Sequence, residues 1–363
     1  MKKKIIFTVT NDLSYDQRMI RICHSLSQYG YQILLVGTIK KNSIPLSNSS
    51  FQQKRLNCLF TKGKWFYIEY NLRLLLFLLV QKTDCICAID LDTILPCLWV
   101  SSLKKIPRVY DAHELFCEMK EVVSRPHIHR IWKSIEKFSV PKFRHAYTVN
   151  QPIADEFHNM YGLHVDVIRN AAEYFPEADI SNKERYLLYQ GAVNEGRCLE
   201  FLIPAMQCID RKLIICGDGN FMNQARSLVI KHHLEDKIIF KGMIPPSQLK
   251  EISNKAHIGI NLCESNALST YYSLANKFFD YIQSATPQIC VNFPAYKELN
   301  NEYKVGLLID DITPEGIAKS INHLLDHPTE WNLLHENCKR ASLLLNWQAE
   351  EKKLIHFYQK ILD

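Results

Sequence analysis

No Cys-x-x-Cys pair occurs in the chain, and no set of cysteines and histidines has zinc-like spacing, although twelve cysteines are spread from Cys23 to Cys338. Most of them, such as Cys85, Cys87, Cys216 and Cys290, lie inside apolar runs. Buried thiols in a reducing compartment account for that pattern better than disulfides or a bound metal. A secretory leader is also missing. Met1 and three lysines run straight into the short apolar stretch 5–10, with no small-residue cleavage site, so a cytoplasmic protein is expected. No apolar run is long enough to span a bilayer. The nearest, 72–80, is interrupted by Arg73 and closed by Gln81 and Lys82; it reads either as a buried core helix or as part of a membrane-facing surface. Neither a Gly-Lys-Ser/Thr phosphate loop nor a Gly-x-Ser-x-Gly elbow is present, and no Ser-His-Asp set can be assembled. The basic residues are scattered, without an aromatic ladder or a recognition module, which argues against nucleic acid as a partner.

What is present is ordinary in bulk and uneven in charge. A length of 363 residues makes two domains the default, and 47% hydrophobic with 23% charged residues suits a globular protein. Residues 1–165 hold 23 Lys and Arg against 13 Asp and Glu, net +10. Residues 166–363 hold 21 against 25, net −4, and the two halves together return the chain's +6. A cationic half points to an anionic neighbour, either a membrane surface or a phosphorylated substrate; solubility alone also accounts for a charge of this size.

Along the chain, the apolar run 5–10, a helical pattern through Met19, Ile22, Cys23 and Leu26 that stops at Gly30, and the run 33–36 form a β-α-β unit, which sets the class as α/β. Further short strands are predicted at 85–89, 108–110, 146–149 and 165–168. The polar, aperiodic segment 171–183 reads as a linker. A second series follows at 186–189, 213–216, 238–240, 258–262, 288–291 and 306–308, alternating with helical patterns. The expectation is two Rossmann-like parallel-sheet domains facing across a cleft: 1–170, then the linker 171–183, then 184–345. A last helix, 346–363, crosses back to the first domain with Leu354, Phe357, Tyr358 and Ile361 on one side. In such sheets ligands gather beyond the carboxyl ends of strands.

Five places there carry chemistry-bearing residues. Asn276, Lys277 and Asp280 put an amide, a cation and a carboxylate at the start of a helix. The carboxylate suits ribose or sugar hydroxyls, and Lys277 with the helix N-terminus suits phosphate oxygens. The plainer reading is an amphipathic helix with Phe278, Phe279 and Ile282 buried and Lys277 and Asp280 in solvent. Gly191-Ala192-Val193-Asn194-Glu195-Gly196-Arg197 follows a strand, so its glycines let backbone approach a ligand and Arg197 offers a phosphate fork, unless it is only a turn with a solvated arginine. Cys216-Gly217-Asp218-Gly219-Asn220 lacks the third spaced glycine of a dinucleotide fingerprint and reads as a turn lining the cleft or a base pocket. Asp111-Ala112-His113-Glu114 closes a strand. Its histidine suits proton transfer or a phosphate hydrogen bond, and a capping Asp with solvated neighbours is the alternative. In the first strand-to-helix turn, Asp16 and Arg18 either tie the loop or offer a cation to the cleft.

Together these residues resemble the retaining glycosyltransferases called family 4, which include bacterial capsule, lipopolysaccharide and mannosyl transferases and have the GT-B fold. The likeness covers essentially the whole chain. The segment Tyr272-Ser273-Leu274-Ala275-Asn276-Lys277-Phe278-Phe279-Asp280-Tyr281 is similar to a pattern in which a subset of that family has proline at 275 and glutamate at 280. Of the family's two motif glutamates, the second falls on Asp280 and the first on Tyr272. In the loop opening domain two, the family arginine falls on Ala192 and the family lysine on Arg197.

The resemblance implies a hexosyltransferase that takes a sugar from a UDP- or GDP-sugar and passes it to a saccharide or lipid-linked saccharide in surface polysaccharide synthesis. It implies no cofactor and no catalytic metal; Asp90-Leu91-Asp92 is read as a loop and not as a metal motif. The expected catalytic residues are His113, Arg197 and Lys277. Gly191, Arg197, Gly217, Asn276, Lys277 and Asp280 are expected to bind the donor. An anionic membrane surface is a further expected partner, with the protein on the inner face of the cytoplasmic membrane. A non-catalytic partner of the same fold, suggested by Ala192 and Tyr272, and a 2-epimerase-like hydrolase using Asp280 and Glu264 are the alternatives.

Overall fold

The structure is a computed structural model that describes residues 2–14, 16–41, 43–46, 48–176 and 183–362. The chain divides into two compact units, Met1–Asn170 with Glu350–Asp363, and Ala171–Ala349. Both are parallel sheets clad in helices, the α/β class expected from the alternating strand and helix patterns.

In unit 1 the strands are β1 (Lys4–Thr8), β2 (Gln32–Thr38), β3 (Gln52–Leu56), β4 (Cys85–Ile89), β5 (Arg108–Ala112), β6 (His145–Thr148) and β7 (Asp166–Val167), in spatial order β3-β2-β1-β4-β5-β6-β7. The central strand β4 is buried along its whole length, as Val/Ile/Cys-rich strands covered on both faces must be. The edge strand β3, with sequence Gln-Gln-Lys-Arg-Leu, has no apolar run and was not legible as a strand; on a sheet edge it needs to bury little. Order reverses between β1 and β4, so the loops that follow those two strands flank the switch point of the sheet.

The helix Gly63–Val80 starts nine residues before the apolar run that signalled it, and a core helix describes only half of it. Phe66, Tyr70, Leu74 and Leu78 are buried, whereas Leu72, Leu76 and Val80 are exposed. The final helix, Trp347–Leu362, packs its Leu354, Phe357 and Tyr358 into unit 1. Phe357 meets Tyr147 at 5.1 Å between ring centroids, and Tyr358 meets Phe7 at 5.8 Å. Glu350, 1% exposed, accepts from the Arg169 backbone N–H at 2.9 Å.

Unit 2 contains β8 (Tyr186–Gln190), β9 (Lys212–Cys216), β10 (Ile238–Gly242), β11 (Ile258–Asn261), β12 (Gln288–Val291) and β13 (Gly306–Ile309), in order β10-β9-β8-β11-β12-β13. Its core gathers Leu187, Tyr189, Ile215, Ile260, Phe278, Phe279 and Ile289. Here order reverses between β8 and β11. Of the expected linker, residues 177–182 lie outside the described residues.

Candidate active site

The loop 191–197 leaves the carboxyl end of β8, at the switch point of unit 2. Gly191 has φ +118°, which an L side chain rarely adopts, and its N–H donates to Cys216 O at 2.9 Å. The turn after β9 fits against it: Val193 N–H donates to Asp218 O at 3.0 Å and Asn220 N–H to Asn194 Oδ1 at 3.0 Å. Gly217 is pressed so close that a Cβ would fall 1.9 Å from Gly191 O. Its demand is therefore the contact between two backbones, which explains the glycine without a ligand. Glu264, after β11, donates its N–H to Gly196 O at 3.0 Å, and its carboxylate accepts from Asn266 at 3.0 Å.

Into this corner projects Lys277, second residue of the helix Asn276–Gln283. No side chain caps that helix, because Ala275 has none to offer, and the Ala275 N–H is taken by Tyr296 Oη at 2.9 Å. The apolar face of the helix is buried through Phe278, Phe279 and Ile282, as its pattern predicts. Lys277 and Asp280 do not simply point into water.

The Lys277 ammonium is shut away from solvent, has no hydrogen-bond partner among the described residues, and lies 3.9 Å from the Tyr189 ring centroid. Burial, and then the neighbouring Arg197 cation, pull its pKa down to about 7. Asp280 accepts from Gln190 Nε2 at 2.8 Å, and Gln190 Oε1 in turn accepts from Ser253 Oγ at 2.7 Å. Gln190, the last residue of β8, thus orients the carboxylate, a role that sequence reasoning missed; a polar residue closing an apolar strand just before a glycine was the available signal. Unit 2 therefore brings Gly191, Arg197, Lys277 and Asp280 around one strand-end corner, with Asn276 exposed at the helix start. The corner combines two cations, one of them desolvated and unpaired, with an oriented carboxylate. Such a set can hold a doubly charged phosphate group beside a hydroxyl-bearing ring.

Unit 1 has its own cluster at the carboxyl ends of β4 and β5. Asp111, 0% exposed, takes a 2.7 Å ion pair from Arg18, which settles the alternatives for that arginine: it ties the loop inward. Asp16 caps the following helix by accepting from Met19 N–H at 3.1 Å. His113 stands between two carboxylates, Nδ1 3.3 Å from Asp90 and Nε2 3.5 Å from Asp111. Burial works against its proton, but Asp90 and then Asp111 outweigh it and raise the pKa to about 9. His113 is therefore an imidazolium at neutral pH, a donor and a cation, not a base poised at pH 7. Burial would also raise Asp111, yet Arg18 and His113 hold it below the usual carboxylate range. Asp90 adopts φ +54°, a strained conformation held in place by the His113 N–H donating to its Oδ1 at 2.9 Å. Asp92 accepts from Thr10; burial, then Asp90, push its pKa up to about 7.

Comparison with known proteins gives a family match that falls almost wholly within unit 2. Residues 170–342 fit the family model described as "Glycosyl transferases group 1". A comparison with curated proteins returned no match. Among solved structures, the chain is similar over its whole length to sucrose-phosphate synthase from Thermosynechococcus elongatus, with TM-score 0.79 at 16% identity and 99% of each chain covered. It is also similar to Anabaena HepE in complex with UDP, with TM-score 0.75 at 12% identity, covering 99% of this chain and 100% of that one. A third is WaaG, a glycosyltransferase involved in lipopolysaccharide biosynthesis, with TM-score 0.73 at 12% identity and 97% and 98% covered. These likenesses fix the fold as GT-B. Residues 170–342 are similar to a group 1 glycosyl transferase domain, and with the structural likenesses that match supports a nucleotide-sugar glycosyltransferase.

Proposed function

We propose that the protein transfers a hexosyl group, with retention at the anomeric carbon, from a UDP- or GDP-sugar to a saccharide or lipid-linked saccharide acceptor in cell-surface polysaccharide synthesis, as family 4 members do. The observation that carries this reading is Lys277: a desolvated, unpaired ammonium beside Arg197 at the switch point of a parallel sheet. Leaving a cation so placed is costly unless an anion binds there. UDP in the HepE structure supports a nucleoside diphosphate as that anion.

In the reaction the bond from the anomeric carbon to the diphosphate oxygen breaks, and its electron pair leaves with the diphosphate. The acceptor hydroxyl oxygen bonds the same carbon, and its proton passes to the departing diphosphate. Arg197 and Lys277 stabilise the charge that develops on that leaving group. Asp280, held by Gln190, takes the ribose or sugar hydroxyls. His113 acts on turnover from unit 1 as a charged donor. A peripheral position on the inner membrane face belongs to the same reading, because a lipid-linked acceptor is found there.

Ala192 and Tyr272 favour a non-catalytic partner, but the two neighbouring cations Arg197 and Lys277 weigh against it. The hydrolase reading needs Glu264 beside Asp280, whereas Glu264 is engaged with Gly196 and Asn266. Calorimetric titration against UDP, GDP and their sugars tests the proposal. Absence of binding at millimolar nucleotide overturns it, and turnover of the donor to an epimer or free sugar without acceptor favours the hydrolase.

A further inference from the structure

One flank of unit 1 is apolar where a protein surface is ordinarily mixed. The helix Gly63–Val80 carries two apolar stripes. Phe66, Tyr70, Leu74 and Leu78 recur every four residues and are buried. Trp65, Ile68, Leu72, Leu76 and Leu79 recur at spacings of three and four and are 38–58% exposed. At about 100° per residue this second stripe falls on the opposite side of the helix from the first. The helix Ile94–Lys104, packed against it, adds exposed Trp99 and Leu103. The helix Pro126–Ser139, reached through a Tyr67–Trp132 ring contact at 5.4 Å, adds Ile131 and Phe138. So many large apolar side chains on adjoining helices mark an interaction surface.

The charges on these helices have one sign. Apart from His127, the exposed titratable residues on the three helices are Lys64, Arg73, Arg130 and Lys137. Their two acids are withdrawn: Glu69 accepts from the Leu59 and Phe60 amides and pairs with Arg73, and Glu136, 1% exposed, pairs with Lys133. That Glu69 clamp also holds Phe60 beside Trp65, 6.2 Å between centroids, with Lys62 and Lys64 exposed around them. Past the other end of the helix, Lys82 joins Lys2, Lys3 and Lys4 around an open depression of about 480 Å3, where Asp84 pairs with Lys3 at 3.6 Å and the lining stays net positive.

We infer that this three-helix face docks on the surface of an anionic phospholipid bilayer, with the outer stripe among the acyl boundaries and the lysines at both ends among the headgroups. Tryptophans and a cationic rim around an apolar stripe suit that interface. A second copy of the chain fits it poorly, since a symmetric pair would set cations against cations. No helix of the described residues is long and apolar enough to cross the membrane. Because the helix links the end of β3 to the start of β4, it runs antiparallel to the strands. Its Trp65 end therefore lies at the strand ends that carry His113. The inference deepens the lipid-linked acceptor reading and rests on it for purpose, while docking itself is measured separately.

The full chain is co-sedimented with vesicles of phosphatidylcholine alone and of phosphatidylcholine with phosphatidylglycerol, at low and high salt, and nucleotide binding is measured on the same samples. The expected result is binding to the anionic vesicles at low salt that fades at high salt, and that falls on the order of tenfold or more in Leu72→Ser/Leu76→Ser and in Lys64→Glu/Arg73→Glu. UDP binding should stay unchanged in both variants. Failure to sediment with anionic vesicles at low salt, or binding undiminished in the double variants, overturns docking. So does a dimer that Leu72→Ser/Leu76→Ser converts to monomer without any vesicle binding. Intact vesicle binding without nucleotide binding would instead sink the transferase reading alone.

Discussion

The nearest thing Lys277 has to a counter-charge is the face of Tyr189, 3.9 Å from its Nζ. A ring face offsets only part of what a desolvated ammonium loses, so the pKa falls from 10.5 to about 7. Its folded value is below its unfolded one. Below about pH 7 both states hold the proton and the full penalty is present; the penalty lifts as pH rises from 7 toward 10.5. Binding a diphosphate should restore the proton. Affinity for UDP or GDP should then fall by up to about tenfold per pH unit above pH 7, with proton uptake on binding. Calorimetry in buffers of unlike ionisation heat reads this directly. Lys277→Met should abolish the uptake and raise the stability of the free protein near pH 7.

Arg197→Ala and Lys277→Ala should each cost about 2–4 kcal/mol of transition-state stabilisation, read from kcat/KM with the donor. Unchanged kcat/KM in both, with folding verified, would remove the leaving group from this corner.

His113 carries its proton until about pH 9 because Asp90 and Asp111 outweigh its burial. Its raised pKa contributes stability that is complete below its unfolded value of about 6.5 and is lost as pH rises through about 9. The alkaline limb of kcat should follow the same proton. Asp90→Asn should shift that limb toward neutral pH while leaving nucleotide affinity in place, and His113→Ala should lower turnover more than affinity. A limb that stays put in Asp90→Asn would contradict the charged-donor role.

Gln190 is a positioning residue for Asp280. Asp280→Ala should weaken donor binding by on the order of tenfold, the scale of a charge-assisted hydrogen bond. Gln190→Leu should raise donor KM by less and leave kcat near wild type, whereas Gln190→Glu, with like charges meeting, should be worse than Gln190→Leu.

Gly217 and Gly242 both have positive φ, +143° and +65°, but only Gly217 has backbone where a Cβ would go. Gly242→Ala should therefore cost about 1–2 kcal/mol, the strain of a left-handed residue. Gly217→Ala should cost more than about 3 kcal/mol, because the two loops must part. Denaturant midpoints of the two variants separate conformational strain from collision.

Strands covered on both faces were legible because apolar runs such as Cys85–Ile89 and Gln288–Val291 have little else to become. The edge strand Gln52–Leu56 was not, since its residues are chosen for water. The outer face of the helix Gly63–Val80 was equally hidden: hydrophobicity alone cannot say which of two apolar faces meets the core. Lys277 and Asp280 could be picked out by type and spacing. Arg197 was picked out in the same way, but the partners Tyr189 and Gln190 were not, because they lie about ninety positions away along the chain. The Arg18–Asp111 pair and the Asp90–His113 contact were invisible for the same reason: pairing is a property of the fold, while sequence shows only that each residue can ionise.

The helix Trp347–Leu362 gives unit 1 an unusual assembly history. A ribosome releases β1 through β7 first, then the whole of unit 2, and only afterwards the segment bearing Phe357 and Tyr358. Until that segment is made, the contacts of Phe7 with Tyr358 and of Tyr147 with Phe357 cannot form. Completion of the amino-terminal half is thus deferred until the carboxy-terminal half has been made, and the order of synthesis runs opposite to the usual completion of one domain before the next begins.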